Sequence, residues 1–204
     1  MNRTIALIAV AVAAVFLAGT FWLTVLGGGS DDQFAECRSS SVAGDIGGPF
    51  ELVNAAGETV TDEDVITDPT LIYFGYTFCP DVCPLDVDRN AMAVEILEDQ
   101  GKIVTPMFIT IDPQRDTPEV VGEFAGYMHP RMIGLTGSPE QVKAASQAYR
   151  TYYKAHPPVD GEYLVDHSTF SYLVMPETGF VEYFRREMTP TDVAEKLSCF
   201  VENA

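Results

Sequence analysis

One stretch limits what this chain can fold into more than any other: Leu71-Ile-Tyr-Phe-Gly-Tyr-Thr-Phe-Cys-Pro-Asp-Val-Cys-Pro84. Leu71 to Tyr76 is an apolar run rich in β-branched and aromatic residues. It is too short for a helix and reads as a fully buried central strand. Gly75 and Thr77 loosen the run, and then Cys79 and Cys83 arrive four residues apart, each followed by a proline. From Pro84 to about Glu98 the apolar residues Leu85, Ala91, Met92, Ile96 and Leu97 fall at roughly helical spacing. Pro84 suits the first helical position, because its missing N–H would be unpaired there anyway. That places Cys83 at the cap and Cys79 one turn upstream. A strand that runs into a thiol-bearing turn at a helix start is where α/β proteins keep their chemistry.

The other elements follow from turn and cap signals. Phe50 to Val53 and Glu58 to Val60 flank Asn54-Ala-Ala-Gly57 and predict a β-hairpin. Thr61 with Asp64 predicts a capping box on one short helical turn. Val104 to Ile111 reads as a second buried strand, Thr117-Pro-Glu119 opens a helix to about Met128, and Met132 to Leu135 is a short strand. Ser138-Pro-Glu-Gln141 is a strong helix start. That helix is expected to reach about Tyr153, with Lys154 to Glu162 an exposed loop and Tyr149, Tyr152 and Tyr153 in the core. Phe170 to Met175 and Phe180 to Phe184 predict a hairpin, and Thr189-Pro190 opens a last helix to about Val201. Strands alternating with helices, then a closing hairpin and helix, predict an α/β sheet with helices on both faces and an extra N-terminal β-hairpin.

Ahead of this domain, Thr4 to Leu26 is 23 residues without a charge, enough to cross a bilayer, which needs about 20. A cleavable signal peptide is the competing reading, but its apolar region is only about 7–15 residues. Residues 1–30 are therefore expected to be one transmembrane helix and a flexible Gly27-Gly-Gly-Ser30 tether, and residues 31–204 the folded domain. Arg3 on one side and Asp31-Asp32 on the other orient the amino terminus to the cytoplasm. All 30 acidic residues lie after position 30, against 11 of the 12 lysines and arginines, so the exported part carries −19. Such a field repels nucleic acid and anionic lipid and attracts cationic partners or metal ions; it also simply confers solubility. In an exported domain the four cysteines can be oxidised pairs. Cys79 and Cys83 are one local pair, and Cys37 and Cys199 can staple the two ends together.

Two thiols at this spacing allow two chemistries. The exchange motif of disulfide oxidoreductases is Cys-x-x-Cys, whereas three residues intervene here. Thioredoxin-like enzymes also carry a proline before the strand that faces the thiols, and Asp166-His167-Ser168-Thr169 contains none. Disulfide exchange is weakened by both differences and stays open. Two thiolates also make a good site for a soft ion such as Cu(I), or for zinc with more ligands. The helix amino terminus lowers thiol pKa. Copper takes imidazole as a third ligand, and there are three histidines. His129 reads as a surface cap at a helix end, and His156 lies in a proline-rich loop as an auxiliary candidate at most. His167, just before a buried strand, is the candidate ligand.

Three blocks, Tyr73 to Pro84, Ile111-Asp-Pro-Gln-Arg-Asp-Thr-Pro118 and Val165-Asp-His-Ser-Thr169, resemble the signature blocks of the Sco (SenC/PrrC-type) family over roughly Ile46 to Val201. The resemblance implies a membrane-anchored thioredoxin-like fold and a role in handling copper for cytochrome c oxidase assembly. It implies Cys79, Cys83 and His167 as ligands of one Cu(I) or Cu(II). The acceptor would be the CuA site of oxidase subunit II, with an upstream copper donor or thiol reductant as second partner. The chain would then be a periplasm-facing carrier in the inner membrane and not an enzyme. A thiol-disulfide reductase using a Cys79–Cys83 redox disulfide, and a redox or copper sensor, are the alternatives. Nothing in the resemblance speaks to Cys37 and Cys199.

The acids have quieter readings. Asp81, between the thiols, can tune their charge, contact a partner or stabilise the turn. Asp166 can orient His167 from behind or merely begin the strand. Asp112, Arg115 and Asp116 read as a hydrogen-bonded turn that shapes the rim of the site.

Overall fold

The computed structural model describes residues 2–25, 33–38 and 46–204. It contains two compact units, Met1–Ala35 and Glu36–Ala204. The first holds a helix, α1 (Asn2–Val25). Among the described residues no helix is long and apolar enough to cross a membrane. The expected anchor over Thr4 to Leu26 falls partly outside the described residues; the Gly27–Ser30 tether and the boundary after residue 30 fall wholly outside them.

The second unit opens with the hairpin of β1 (Glu51–Asn54) and β2 (Thr59–Thr61). Gly57 turns it at φ +79, and the Asn54 side-chain oxygen accepts from the N–H groups of Ala56 and Glu58. The capping box of Thr61 and Asp64 starts α2 (Asp62–Val65). Then come β3 (Thr70–Gly75), α3 (Val82–Glu98), β4 (Thr105–Thr110), α4 (Pro118–Met128), β5 (Ile133–Thr136) and α5 (Pro139–Ala148). The chain closes with β6 (Tyr153–Ala155), β7 (Val165–His167), β8 (Ser171–Met175), β9 (Gly179–Phe184) and α6 (Pro190–Glu202). Three helices begin alike: Thr117, Ser138 and Thr189 each precede a proline and accept from the backbone N–H three residues on.

The seven-stranded sheet runs β2-β1-β5-β4-β3-β8-β9. Strands β3, β4 and β5 are parallel, while β8 pairs antiparallel with β3. Every residue of β3 is buried, as a parallel strand covered on both faces requires. Because β3 and β4 run the same way, the loops after Gly75 and Thr110 leave from one edge of the sheet. Because β8 runs the other way, with Ser171 opposite Tyr73, the segment that precedes it arrives at that same edge. The fold thus places the thiol turn and His167 together.

The expected α5 is shorter than its pattern. It stops at Ala148, and Arg150 takes a left-handed conformation at φ +52. The Arg150 N–H donates to the Gln147 carbonyl and the Thr151 N–H to that of Ser146, the bonding of a Schellman end. Tyr153 therefore belongs to β6, which pairs with β7 across Tyr153 and His167. Of the three tyrosines expected in the core, Tyr149 is buried, Tyr153 half-buried and Tyr152 exposed, because a strand turns neighbouring side chains to opposite sides. His129 does end α4, but it is buried rather than superficial: its Nδ1 accepts from the Arg131 N–H at 3.1 Å.

Cys37 and Cys199 are joined by a disulfide across a sequence separation of 162, with Cα atoms 5.7 Å apart. It ties the start of the second unit to α6. For a loop of this length the chain-entropy model gives up to about 5 kcal/mol. The Cys37→Ser/Cys199→Ser double variant is expected to unfold at clearly lower urea concentration with a native-like far-ultraviolet spectrum. Peptide mapping without reductant should recover the two segments cross-linked.

Candidate metal centre

After β3 the chain turns at once, with the Cys79 N–H donating to the Tyr76 carbonyl at 3.2 Å. Cys79 Sγ then accepts the N–H of Cys83 at 3.4 Å, so a sulfur takes up one of the unpaired donors at the start of α3. Asp81 stands at the N-cap position but makes no side-chain cap bond, and its side chain is exposed. Helix α3 begins at Val82, two residues earlier than expected, which puts Cys83 inside its first turn and not at its cap. Gly75 is the reason this turn can sit so close to the strand. A Cβ there would lie 2.8 Å from the Tyr73 ring, 3.0 Å from that of Phe108 and 3.1 Å from Cys83 Sγ.

His167 completes the group. Cys79, Cys83 and His167 bring their ligand atoms within 4.8 Å of one another, and Cys83 Sγ is 3.2 Å from His167 Nε2. His167 Nδ1 lies 2.8 Å from the Ser168 carbonyl. A carbonyl can only accept, so Nδ1 carries the proton and Nε2 turns its lone pair to the sulfurs. Ser168 is itself held by the residue just before β6, its N–H donating to the Tyr152 carbonyl and its Oγ accepting from the Tyr152 N–H. The rings of Tyr73 and Tyr76 stand edge-on to the imidazole at 6.2 and 5.9 Å. Asp166 does not orient His167: strand alternation turns it away, and its carboxylate pairs with His156 Nε2 at 2.9 Å. The group behind His167 is a backbone carbonyl.

The second signature block fixes both arms of the site. Fully buried Asp116 accepts from the backbone N–H of Thr77 at 3.0 Å and from the hydroxyls of Thr77 and Thr110 at 2.5 and 2.6 Å. It thereby pins the start of the thiol turn. Asp112 accepts from Arg115 Nε at 2.5 Å and from the Tyr163 hydroxyl at 2.7 Å, just before β7. The Arg115 guanidinium lies 3.7 Å from the centre of the Tyr163 ring. Burial pushes the Asp116 carboxyl up, and its threonine hydroxyls hold it back.

Cys79 and Cys83 are both free thiols. They share one proton unequally. The Cys83 thiol beside it pulls Cys79 well below the ordinary cysteine value, helped by the N–H groups of Cys83 and Asp81, against the cost of burial. Cys83 is pushed up by the bond to Cys79 and by burial. The 8 % exposed Cys79 is thus the sulfur that ionises more readily, and the wholly buried Cys83 the one that holds its proton more tightly. Such a pair can bind a soft cation or attack a disulfide.

Residues 38–202 match the family described as SCO1/SenC. Protein SenC of Rhodobacter capsulatus is 50% identical over 203 residues, 98% of this chain and 91% of that protein. The mitochondrial SCO1 homolog 1 of Arabidopsis thaliana is 45% identical over 140 residues, 68% of this chain but only 42% of that longer protein. The crystal structure of Arabidopsis thaliana ScoI with copper bound aligns with a TM-score of 0.73 at 40% identity, covering 77% of this chain and 99% of that one.

Two outcomes test this geometry without any metal. Asp116→Ala leaves two threonine hydroxyls and a backbone N–H unpaired, and is expected to cost about 2–3 kcal/mol in urea unfolding. In a thiolate absorbance titration the native protein should keep one thiolate well below pH 7. In Cys83→Ala that thiolate should instead protonate at higher pH, because its main donor is gone.

Proposed function

Because the chain belongs to the SCO1/SenC family, we propose that it is a copper carrier that loads one ion through Cys79, Cys83 and His167 and passes it to the CuA site of cytochrome c oxidase subunit II. The observation that carries this reading is the convergence of two sulfurs and an imidazole lone pair, with no carboxylate in the group. That donor set suits copper and is poor for a hard ion. The copper-bound ScoI relative supports the same assignment. Copper here is cargo. The chain supplies one ready thiolate in Cys79, a second in Cys83 once its proton leaves, and an imidazole whose tautomer is already set by Ser168.

The uncharged stretch Thr4 to Leu26 is proposed as an inner-membrane anchor that leaves the domain in the periplasm. Donor and acceptor on one membrane surface meet at raised effective concentration. A second reading has one observation in its favour: a thiolate at Cys79 backed by a buried thiol at Cys83 is also the arrangement of a disulfide reductase, which would keep the acceptor's cysteines reduced. Copper transfer to the purified subunit II domain, measured beside turnover on its disulfide form, separates the two.

Reduced protein is expected to bind one copper per chain. A Cys79–Cys83 disulfide consumes both sulfurs, so oxidised protein should bind almost none; equal binding by both forms would remove the thiols from the site. His167→Ala should weaken binding about 10- to 100-fold or more, while His156→Ala changes little. Uptake should release protons from the thiol pair, Cys79 giving up its proton more readily than Cys83. Affinity should fall as the pH is lowered.

A further inference from the structure

A buried carboxylate, Asp86, stands close to the thiols. Asp86 lies one helical turn after Cys83 on α3, so the two share the face turned to the sheet. It is 3 % exposed. The Tyr73 hydroxyl donates to its Oδ2 at 2.9 Å, and the Tyr73 ring in turn stands edge-on to His167 at 6.2 Å and 89°. Arg186 Nε faces its Oδ1 at 3.7 Å, from a side chain 39 % exposed to water. The other nearby cation, Arg89, is spent on different partners: the side-chain oxygens of Asn90 and Ser171 and the carbonyl of Arg185. The carboxylate is therefore held by one phenol that leads to the imidazole and by one half-exposed, distant guanidinium.

A buried carboxylate is costly unless it is partnered, and a hydrophobic residue would fill this face of α3 more cheaply. What Asp86 adds is a negative charge beneath the thiols in a region that water does not screen. That charge stabilises a doubly charged ion more than a singly charged one at the same donors.

We propose that Asp86 is a positioning and electrostatic residue of the copper site, which holds Tyr73 against His167 and biases the site towards Cu(II) over Cu(I). The half-exposed Arg186 opposes that bias from the other side. This rests on copper binding at Cys79, Cys83 and His167.

The test is a pair of competition titrations on the whole chain, one with a Cu(II) chelator and one with a Cu(I) chelator under reducing, anaerobic conditions. Asp86→Asn keeps an acceptor for the Tyr73 hydroxyl and removes only the charge. It should weaken Cu(II) binding about tenfold, in the range of changes behind a ligand, and Cu(I) binding by clearly less. Arg186→Gln lies near the surface and should fold normally. It should move the ratio of the two affinities the opposite way, and so decides the matter should Asp86→Asn fail to fold. Wild-type ratios in Arg186→Gln, with Asp86→Asn either wild-type or shifted equally for both ions, would overturn the proposal. Failure of the copper reading itself looks different: the unaltered protein would then bind neither ion.

Discussion

The site depends on how β3 is paired. Its parallel partner β4 and its antiparallel partner β8 deliver three separate segments to one sheet edge: the thiol turn, the Asp112–Asp116 turn and the chain that carries His167. No local signal could bring Cys83 and His167 to 3.2 Å across 84 residues; the sheet does it by direction alone. The register must also hold, since a slip of one residue would turn alternate side chains to the wrong face. The complete burial of β3 is what makes such a slip expensive.

On that frame the polar groups divide by depth. Asp116 works below the turn and is fully enclosed, where hydrogen bonds are electrostatically strong and an unmade one costs most. Asp112, Arg115 and Tyr163 work at the rim and fix the approach to β7. Cys79 does two things at once: its sulfur accepts the N–H of Cys83 like a capping group and remains one of the candidate ligands. A helix start that lacks an ordinary cap at Asp81 is thus partly completed by the chemistry of the site.

Much of this was legible in the sequence because it is written locally. The buried run before Cys79, the Ser/Thr-Pro helix starts and the Asn54–Gly57 turn all work through residues a few positions apart, and each stands where its pattern puts it. The misses share a physical cause. Helix α5 stops at Ala148, and the left-handed residue beyond it, Arg150, would ordinarily announce itself as glycine. Strands β6 and β7 are three residues each and exist only by pairing with one another. The early start of α3 depends on a sulfur as acceptor, and the room for that sulfur depends on Gly75, which in sequence looks like a weakness in a strand. Asp166 had the right chemistry to stand behind His167 and the wrong parity along its strand.

The group that does stand behind His167 has no side chain to lose. A carbonyl is common to every residue type, so no substitution of residue 168 deletes it directly. Its placement rests on the short pairing with Tyr152 and on the strand beside it. The tautomer of the imidazole is therefore sensitive to anything that loosens β6, including loss of the Ser168 hydroxyl that accepts the Tyr152 N–H. Inheritance here acts on the path of the backbone, which the Ser168 hydroxyl and the β6–β7 pairing hold in place.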